Sequence, residues 1–185
     1  MSDWLELFGV ASALLYIYLE IKQRSSMWIV GFVSSLVYVL VFFQSALYAL
    51  SALYAYYTVI SVYGMYCWQF AKNANEGNRP VTRLNMRTGI TLACISFVLW
   101  TGIGLILNKY IDVANPMPYS EALITALSIV ATWMLAKKIL EHWIVWIFVN
   151  FFSSILYFNN ELYPTAALFV VYGALSIAGW IRWKK

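Results

Sequence analysis

The chain has 185 residues, of which 63% are hydrophobic, 18% aromatic and only 11% charged, and its mean hydropathy is +0.72. This composition excludes an ordinary soluble domain and marks an all-α integral membrane protein. The net charge of +4 does not indicate nucleic acid, because the basic residues sit beside apolar runs instead of forming a basic face, and they read as topology signals.

The chain begins Met-Ser-Asp-Trp-Leu-Glu, without the basic region of a cleavable signal peptide, so its first helix is expected to be retained. Helix 1 is predicted from about Trp4 to Ile21 and is followed by Lys22, Gln23 and Arg24, whose side chains can snorkel to the headgroups. From Ser25 to Ala71 the chain runs for 47 residues without a charged side chain. Helix rises ~1.5 Å per residue and the hydrocarbon core is ~30 Å thick, so this run spans twice. Its polar pause at Gln44-Ser45 predicts a turn between helix 2, starting near Trp28, and helix 3, ending near Trp68.

Residues 72–87 are rich in Lys, Asn, Glu, Gly, Arg and Pro and read as a hydrophilic connection. Helix 4 follows from about Thr88 to Leu107, then a loop with Asn108, Lys109, Asp112, Pro116 and Pro118. Helix 5 is predicted from Tyr119 to Ala136, ending at Lys137-Lys138, helix 6 from Trp143 to Phe158, and helix 7 from Pro164 to Ile181. Seven spans place Lys22, Arg24, Lys72, Arg79, Arg83, Arg87, Lys137, Lys138, Arg182, Lys184 and Lys185 on one side and Lys109 on the other. The basic side is cytoplasmic, which puts the N-terminus outside and the C-terminus inside.

A shift of 115 positions aligns the chain with itself: Trp28-Ile29-Val30 with Trp143-Ile144-Val145, Leu47-Tyr48 with Leu162-Tyr163, Tyr57 with Tyr172, Ser61 with Ser176, Gly64 with Gly179 and Trp68 with Trp183. Rare Trp and Gly in fixed register over three helices indicate a duplication. Three helices are an odd number, so helix 4 restores the direction and makes the two copies parallel, an arrangement that places a binding site near the midplane. The expected domains are residues 1–71, a first three-helix bundle; 72–118, the connection with linker helix 4 and the outer loop; and 119–185, a second bundle.

Nothing in the chain indicates an enzyme: it has no His-Glu-x-x-His, no Gly-x-Ser-x-Gly and no pair of carboxylates within a span. No catalytic residue, metal site or cofactor is expected. His142 reads as a solvated residue at the cytoplasmic edge of helix 6, and Cys67 and Cys94 as packing residues. A retinal-type photoreceptor would need a lysine inside helix 7, and there is none before Lys184. The eight acidic residues all fall at helix ends or in loops, so no carboxylate is available at mid-membrane to couple transport to protons, which favours a passive carrier.

The candidate binding residues form stripes. Trp146, Asn150, Ser153 and Tyr157 share a face of helix 6, Tyr54, Tyr57, Ser61 and Met65 a face of helix 3, and Tyr172, Ser176 and Gly179 a face of helix 7. Ser and Gly in such stripes also serve close helix packing. Asn150 stands apart, because a mid-span carboxamide must find partners, and Trp146 one turn away offers a π-face. The substrate-binding candidates are Trp146, Asn150, Tyr54, Tyr57, Ser61, Tyr157 and Tyr172.

At these residues the chain resembles the Pnu family of bacterial vitamin transporters, which carry nicotinamide riboside or thiamine. The resemblance rests on Trp143-Ile-Val-Trp146 with Asn150, Phe42-Phe43-Gln44, Leu47-Tyr48-Ala49, Val62-Tyr63-Gly64 and Leu127-Ser128-Ile129-Val130-Ala131. It implies two three-helix bundles joined by a linker helix, similar to SWEET sugar carriers, in the inner membrane. It also implies facilitated diffusion with trapping by cytoplasmic phosphorylation, and homo-oligomers, trimers in particular. Nicotinamide riboside carriers tend to have amides where this chain has Tyr54, Ser61 and Ser34. Thiamine needs fewer directed hydrogen bonds, and an aromatic site suits its thiazolium, so thiamine is the expected substrate and nicotinamide riboside the alternative. A membrane receptor or scaffold without a transport cycle is the rival from another class.

Overall fold

The computed structural model describes residues 3–44, 48–70, 80–110 and 118–185. These residues form seven helices: α1 (Asp3–Ile21), α2 (Met27–Gln44), α3 (Tyr48–Gln69), α4 (Met86–Tyr110), α5 (Pro118–Ala136), α6 (His142–Asn159) and α7 (Tyr163–Trp183). The expected turn residue Ser45, the first half of the 72–87 connection and Asp112 and Pro116 of the outer loop lie outside the described residues. By length and composition, α2, α4, α5, α6 and α7 can each cross a membrane. The apolar part of α1 is the shorter Phe8–Ile21. α3 has 22 residues, about 33 Å of helix, but six of them are tyrosines, which lower its hydropathy without shortening it.

Outward faces of the helices are apolar where a soluble protein would be polar. Leu40, Val59, Val62, Phe97, Val98 and Ile155 are all exposed, Val59 to 69%. Such surfaces suit lipid, not water.

The contacts divide the chain into two units, Met1–Val81 with Ala136–Lys138, and Thr82–Leu135 with Ile139–Lys185. In the first, α1 packs on α2 and α2 on α3. Helix α1 closes with Gln23 in the left-handed region at φ 55°, as the Arg24 amide donates to the Leu19 carbonyl at 3.0 Å and the Gln23 amide to Glu20 at 2.9 Å. This is a Schellman cap made without glycine. Below it the Trp28 indole is buried edge-on against Trp68, with ring centroids 5.7 Å apart at 88°, and its ring lies over Gly64. A side chain at position 64 would run into that indole, so glycine is required by the close approach.

The same devices recur 115 positions later, the cap residue Lys138 falling in the first unit and the tryptophans in the second. Lys138, 115 positions after Gln23, sits at φ 53°, and the Ile139 amide donates to Met134 at 3.0 Å. Trp143 meets Trp183 at 5.6 Å and 84° over Gly179. α6 packs on α7, and a cluster of Leu92, Val130, Met134 and Ile139 joins α4 to α5. Asn85 caps α4, its Oδ1 accepting the Thr88 amide at 2.7 Å. The segment before α4 is tied to the α5–α6 turn: the Leu140 amide donates to Thr82 O at 2.8 Å and the Leu84 amide to Glu141 Oε2 at 2.7 Å.

Two expectations, on His142 and Cys94, need correction. His142 is not solvated but fully buried; its Nδ1–H donates to Ile139 O at 2.7 Å and its ring lies against Trp143 and Trp183. Lys138, at the end of α5, is also buried, being 1% exposed, with Nζ 4.2 Å over the Trp68 ring and 3.5 Å from Gln23 Oε1. Aromatic faces take the place of water for this ammonium. Cys67 is buried as a packing residue, but Cys94 is exposed on α4.

If the indole-on-glycine contact holds each helix pair together, Gly64→Ala and Gly179→Ala should each destabilise the protein by about 1–3 kcal/mol through overpacking. Unfolding midpoints in detergent check this, with Gly102→Ala as a control, since a Cβ there meets nothing within 4 Å.

Candidate functional site

The polar groups that the sequence places inside spans are nearly all engaged locally, as hydrocarbon demands. Ser61 Oγ donates to Tyr57 O at 2.7 Å and Ser176 Oγ to Tyr172 O at 2.8 Å, each one turn back along its own helix. Ser61 also abuts α2, its Oγ 3.1 Å from where a Cβ on Gly31 would lie. In the first unit Thr58 Oγ1 reaches across to Ser35 Oγ at 2.9 Å. At the positions corresponding to Ser35 and Ser61, the second unit has Asn150 and Ser176, and Asn150 Nδ2 donates to Ser176 Oγ at 3.1 Å. Asn150 is 5% exposed, so its amide is anchored between α6 and α7.

Aromatic rings cluster at the other ends of these helix pairs, away from the tryptophans. In the first unit Tyr54 meets Phe42 at 5.2 Å and Tyr57 at 5.6 Å, and Tyr38 joins them, 5.6 Å from Phe42 at 23° and 5.1 Å from Tyr54. In the second, Phe169 stacks on Tyr157 at 5.2 Å and 21° and meets Tyr172 edge-on at 5.9 Å. Phe42, Tyr54 and Tyr57 correspond to Tyr157, Phe169 and Tyr172 at the 115-residue shift. The sequence-based list thus includes Tyr54, Tyr57, Tyr157 and Tyr172 but misses Tyr38, Phe42 and Phe169. For Phe42 and Phe169 the signal was present in the alignment, where aromatic residues face aromatic residues without being identical, whereas Tyr38 faces Ser153 and gave none.

The structure brings Asn150 together with Tyr172 through Ser176, and Tyr157 with Tyr172 through Phe169. Tyr54 and Tyr57 join directly, and Ser61 lies one turn beyond Tyr57. Trp146 is half-buried one turn before Asn150 and makes no hydrogen bond or ring contact among the described residues. No group of three or more His, Cys, Asp or Glu side chains suited to a metal occurs among the described residues. What remains in each unit is a few aromatic faces and hydroxyls, with one carboxamide in the second. Side chains of these kinds can stack on a flat ring and orient it by hydrogen bonds.

Residues 3–185 match the family described as Nicotinamide mononucleotide transporter. The chain belongs to that family. This Pnu-type protein is a multi-pass inner-membrane vitamin transporter. It is 20% identical over 203 residues to the nicotinamide riboside transporter PnuC of Escherichia coli (strain K12), the match covering 98% of this chain and 85% of that protein. It is 24% identical over 187 residues to the riboflavin/roseoflavin transporter RibM of Streptomyces davaonensis, covering 98% and 87%. A crystal structure of the vitamin B3 transporter PnuC shares the fold at a TM-score of 0.74 and 22% identity, over 99% of this chain and 81% of that one.

The Asn150–Ser176 bond gives Asn150 a structural duty whatever else it does. Hydrogen bonds between membrane helices average ~0.6 kcal/mol and reach ~1.7, so Asn150→Leu should lower stability by about that much. If the amide also faces the vitamin, affinity should fall roughly tenfold, for ~1.4 kcal/mol. Thermal unfolding and ligand affinity measured on the same purified variant separate the two duties, and lowered stability with unchanged affinity would leave Asn150 as a helix clamp alone.

Proposed function

We propose that this protein carries nicotinamide riboside across the inner membrane by facilitated diffusion, with cytoplasmic phosphorylation trapping the vitamin. The observation that carries this reading is the family match over residues 3–185, together with a relative named as a nicotinamide riboside transporter aligned over 98% of the chain. Thiamine, the expectation drawn from Tyr54, Ser61 and Ser34, gives way to it. The hydroxyls of Ser61 and Ser34 are spent on backbone carbonyls of their own helices, at 2.7 and 3.3 Å. Small residues there leave room and do not select one substrate's polar groups. The aromatic faces of Trp146, Tyr157 and Tyr172 suit a pyridinium as well as a thiazolium.

The architecture we propose is seven spans in two parallel three-helix copies joined by α4, with the N-terminus outside and the C-terminus inside. Support comes from devices 115 residues apart: the left-handed caps at Gln23 and Lys138, the Trp28–Trp68 and Trp143–Trp183 pairs on Gly64 and Gly179, and the two ring clusters. Homo-oligomers, trimers by family resemblance, complete the proposal. Passive transport follows from the placement of acidic groups, since Glu20, though buried, lies in the last turn of α1 and Glu121 in the first turn of α5. The family match disfavours the receptor or scaffold reading.

Proteoliposomes holding this protein alone test the proposal. Labelled nicotinamide riboside should equilibrate, its final internal concentration equal to the external one with or without an imposed proton or sodium gradient. Thiamine and riboflavin should enter far more slowly. Equilibration of thiamine in place of nicotinamide riboside would restore the first substrate reading, and entry of none of the three would remove the carrier reading.

A further inference from the structure

We infer that residues 82–84, the strap that precedes α4, hold the end of the second three-helix copy where α5 meets α6 in one packing and must let go for the carrier to turn over, with the Glu141 carboxylate as the pin. The inference rests on the carrier reading and the duplication proposed above, and it deepens them by naming a moving part.

The strap is tied to several elements at once, all within the second unit. Thr82 pairs with Ile139 in a parallel bridge, and its carbonyl accepts the Leu140 amide at 2.8 Å. Glu141 Oε2 accepts the Leu84 amide at 2.7 Å, and Arg83 Nη1 lies 3.5 Å from Glu141 Oε1. The Arg83 guanidinium also lies over the Trp180 ring of α7, 5.9 Å from its centroid. Leu84 packs on the cluster of Leu92, Val130, Met134 and Ile139 that joins α4 to α5. Three consecutive residues thus hold together the start of α4, the α5–α6 turn and the last turn of α7.

Two observations set these contacts apart from ordinary packing. Glu141 stands at the N-cap of α6, yet its side chain makes no cap bond. An N-cap oxygen ordinarily takes an amide of its own helix, and this one is turned to the strap instead. The second observation comes from the duplication. Around the docking points the copies agree, Trp28, Gly64 and Trp68 recurring as Trp143, Gly179 and Trp183. At the docking points they part: Ser26 stands where the second copy has Glu141, and Met65 where it has Trp180. Both exchanges give the second copy what a segment with an arginine and a free backbone amide binds, a carboxylate and a ring face.

The strap is also the part of this end that yields most readily. Thr82 and Arg83 are exposed and Leu84 is half-buried, so water competes for the groups that hold it. A segment held in this way opens without unfolding the helices beneath it, whereas the Trp143 indole on Gly179 is locked by shape. A carrier that admits its cargo from each side in turn must change the packing of its helix ends. With the strap docked, α4, α6 and α7 are held at one end in a single arrangement, and release of the Glu141 pin frees them.

The experiment locks the strap in place. In protein carrying Cys67→Ala and Cys94→Ala, the further changes Thr82→Cys and Ile139→Cys put a thiol on each bridge partner, at a spacing that a disulfide spans. The oxidised and reduced forms of this one protein are compared in proteoliposomes. Oxidation should slow the equilibration of labelled nicotinamide riboside by roughly tenfold or more, and reduction should restore it. Affinity should differ by less than about threefold between the two forms, because the strap governs turnover and not the binding face. Equal rates with the cross-link complete would overturn the inference, as would a loss of affinity on oxidation as large as the loss of rate. Since Ile139 is buried among apolar neighbours, hydrogen exchange of the unsubstituted protein supplies a test that needs no substitution. The Leu84 and Leu140 amides should exchange together, roughly a hundredfold faster than amides in the middle of α6. Exchange as slow as that of the α6 interior would overturn the inference. If the unsubstituted protein carries no nicotinamide riboside, the function proposed above fails and takes the strap's role with it. Carriage that is intact but insensitive to the cross-link removes the strap's role alone.

Discussion

No water reaches the centre of a bilayer, so every polar group placed there must find its partner within the protein or bring one in from outside. That constraint explains why the serines and threonines of this chain turn back onto carbonyls of their own helices, as Ser61, Thr132 and Ser176 do. It also sharpens the exceptions. Asn150 cannot be satisfied by its own turn and reaches from α6 to Ser176 on α7. Trp146 has no ring or hydrogen-bond partner among the described residues. In hydrocarbon, groups left over in this way are the ones that a polar, flat cargo can use.

The same constraint shapes the scaffold. Between lipid-facing helices apolar burial supplies no driving force, so association depends on close packing. Here that packing comes from large indoles lying on glycine: Trp28 over Gly64 beside Trp68, and Trp143 over Gly179 beside Trp183. At this end of the helix pairs the buried cation Lys138 and the buried His142 are also held by aromatic faces. At the other end the rings of Tyr54, Tyr57, Tyr157, Phe169 and Tyr172 gather. A rigid indole corner and a ring-lined end are arranged alike in positions 115 residues apart, which is what a duplicated transporter half requires.

Much of this was legible in the sequence. Charge-free runs bounded by basic residues gave the helices to within a few residues, because length against bilayer thickness leaves little freedom. Periodicity put Trp146, Asn150, Ser153 and Tyr157 on one face, and the self-alignment picked out Trp28, Gly64 and Trp68 with their counterparts. What stayed hidden depended on tertiary neighbours. Lys138 looks like any interfacial lysine until Trp68 is found beneath it, and His142 looks solvated until Trp143 and Trp183 close over it. The left-handed caps at Gln23, Lys138 and Glu161 carry no glycine, so the residue type gave no hint of them. Substrate choice was the least legible, because the hydroxyls of Ser61 and Ser34 are spent on carbonyls of their own helices and such small residues do not select one substrate's polar groups.

The central claim is that a flat, positively charged vitamin lies along the α6 face that runs from Trp146 through Asn150 to Tyr157. An experimental structure of the purified protein with nicotinamide riboside tests it most directly. The account predicts density for the pyridinium stacked on an aromatic ring of that face, with its polar groups within hydrogen-bond distance of Asn150. Ligand density away from α6, with that face unchanged, would contradict it.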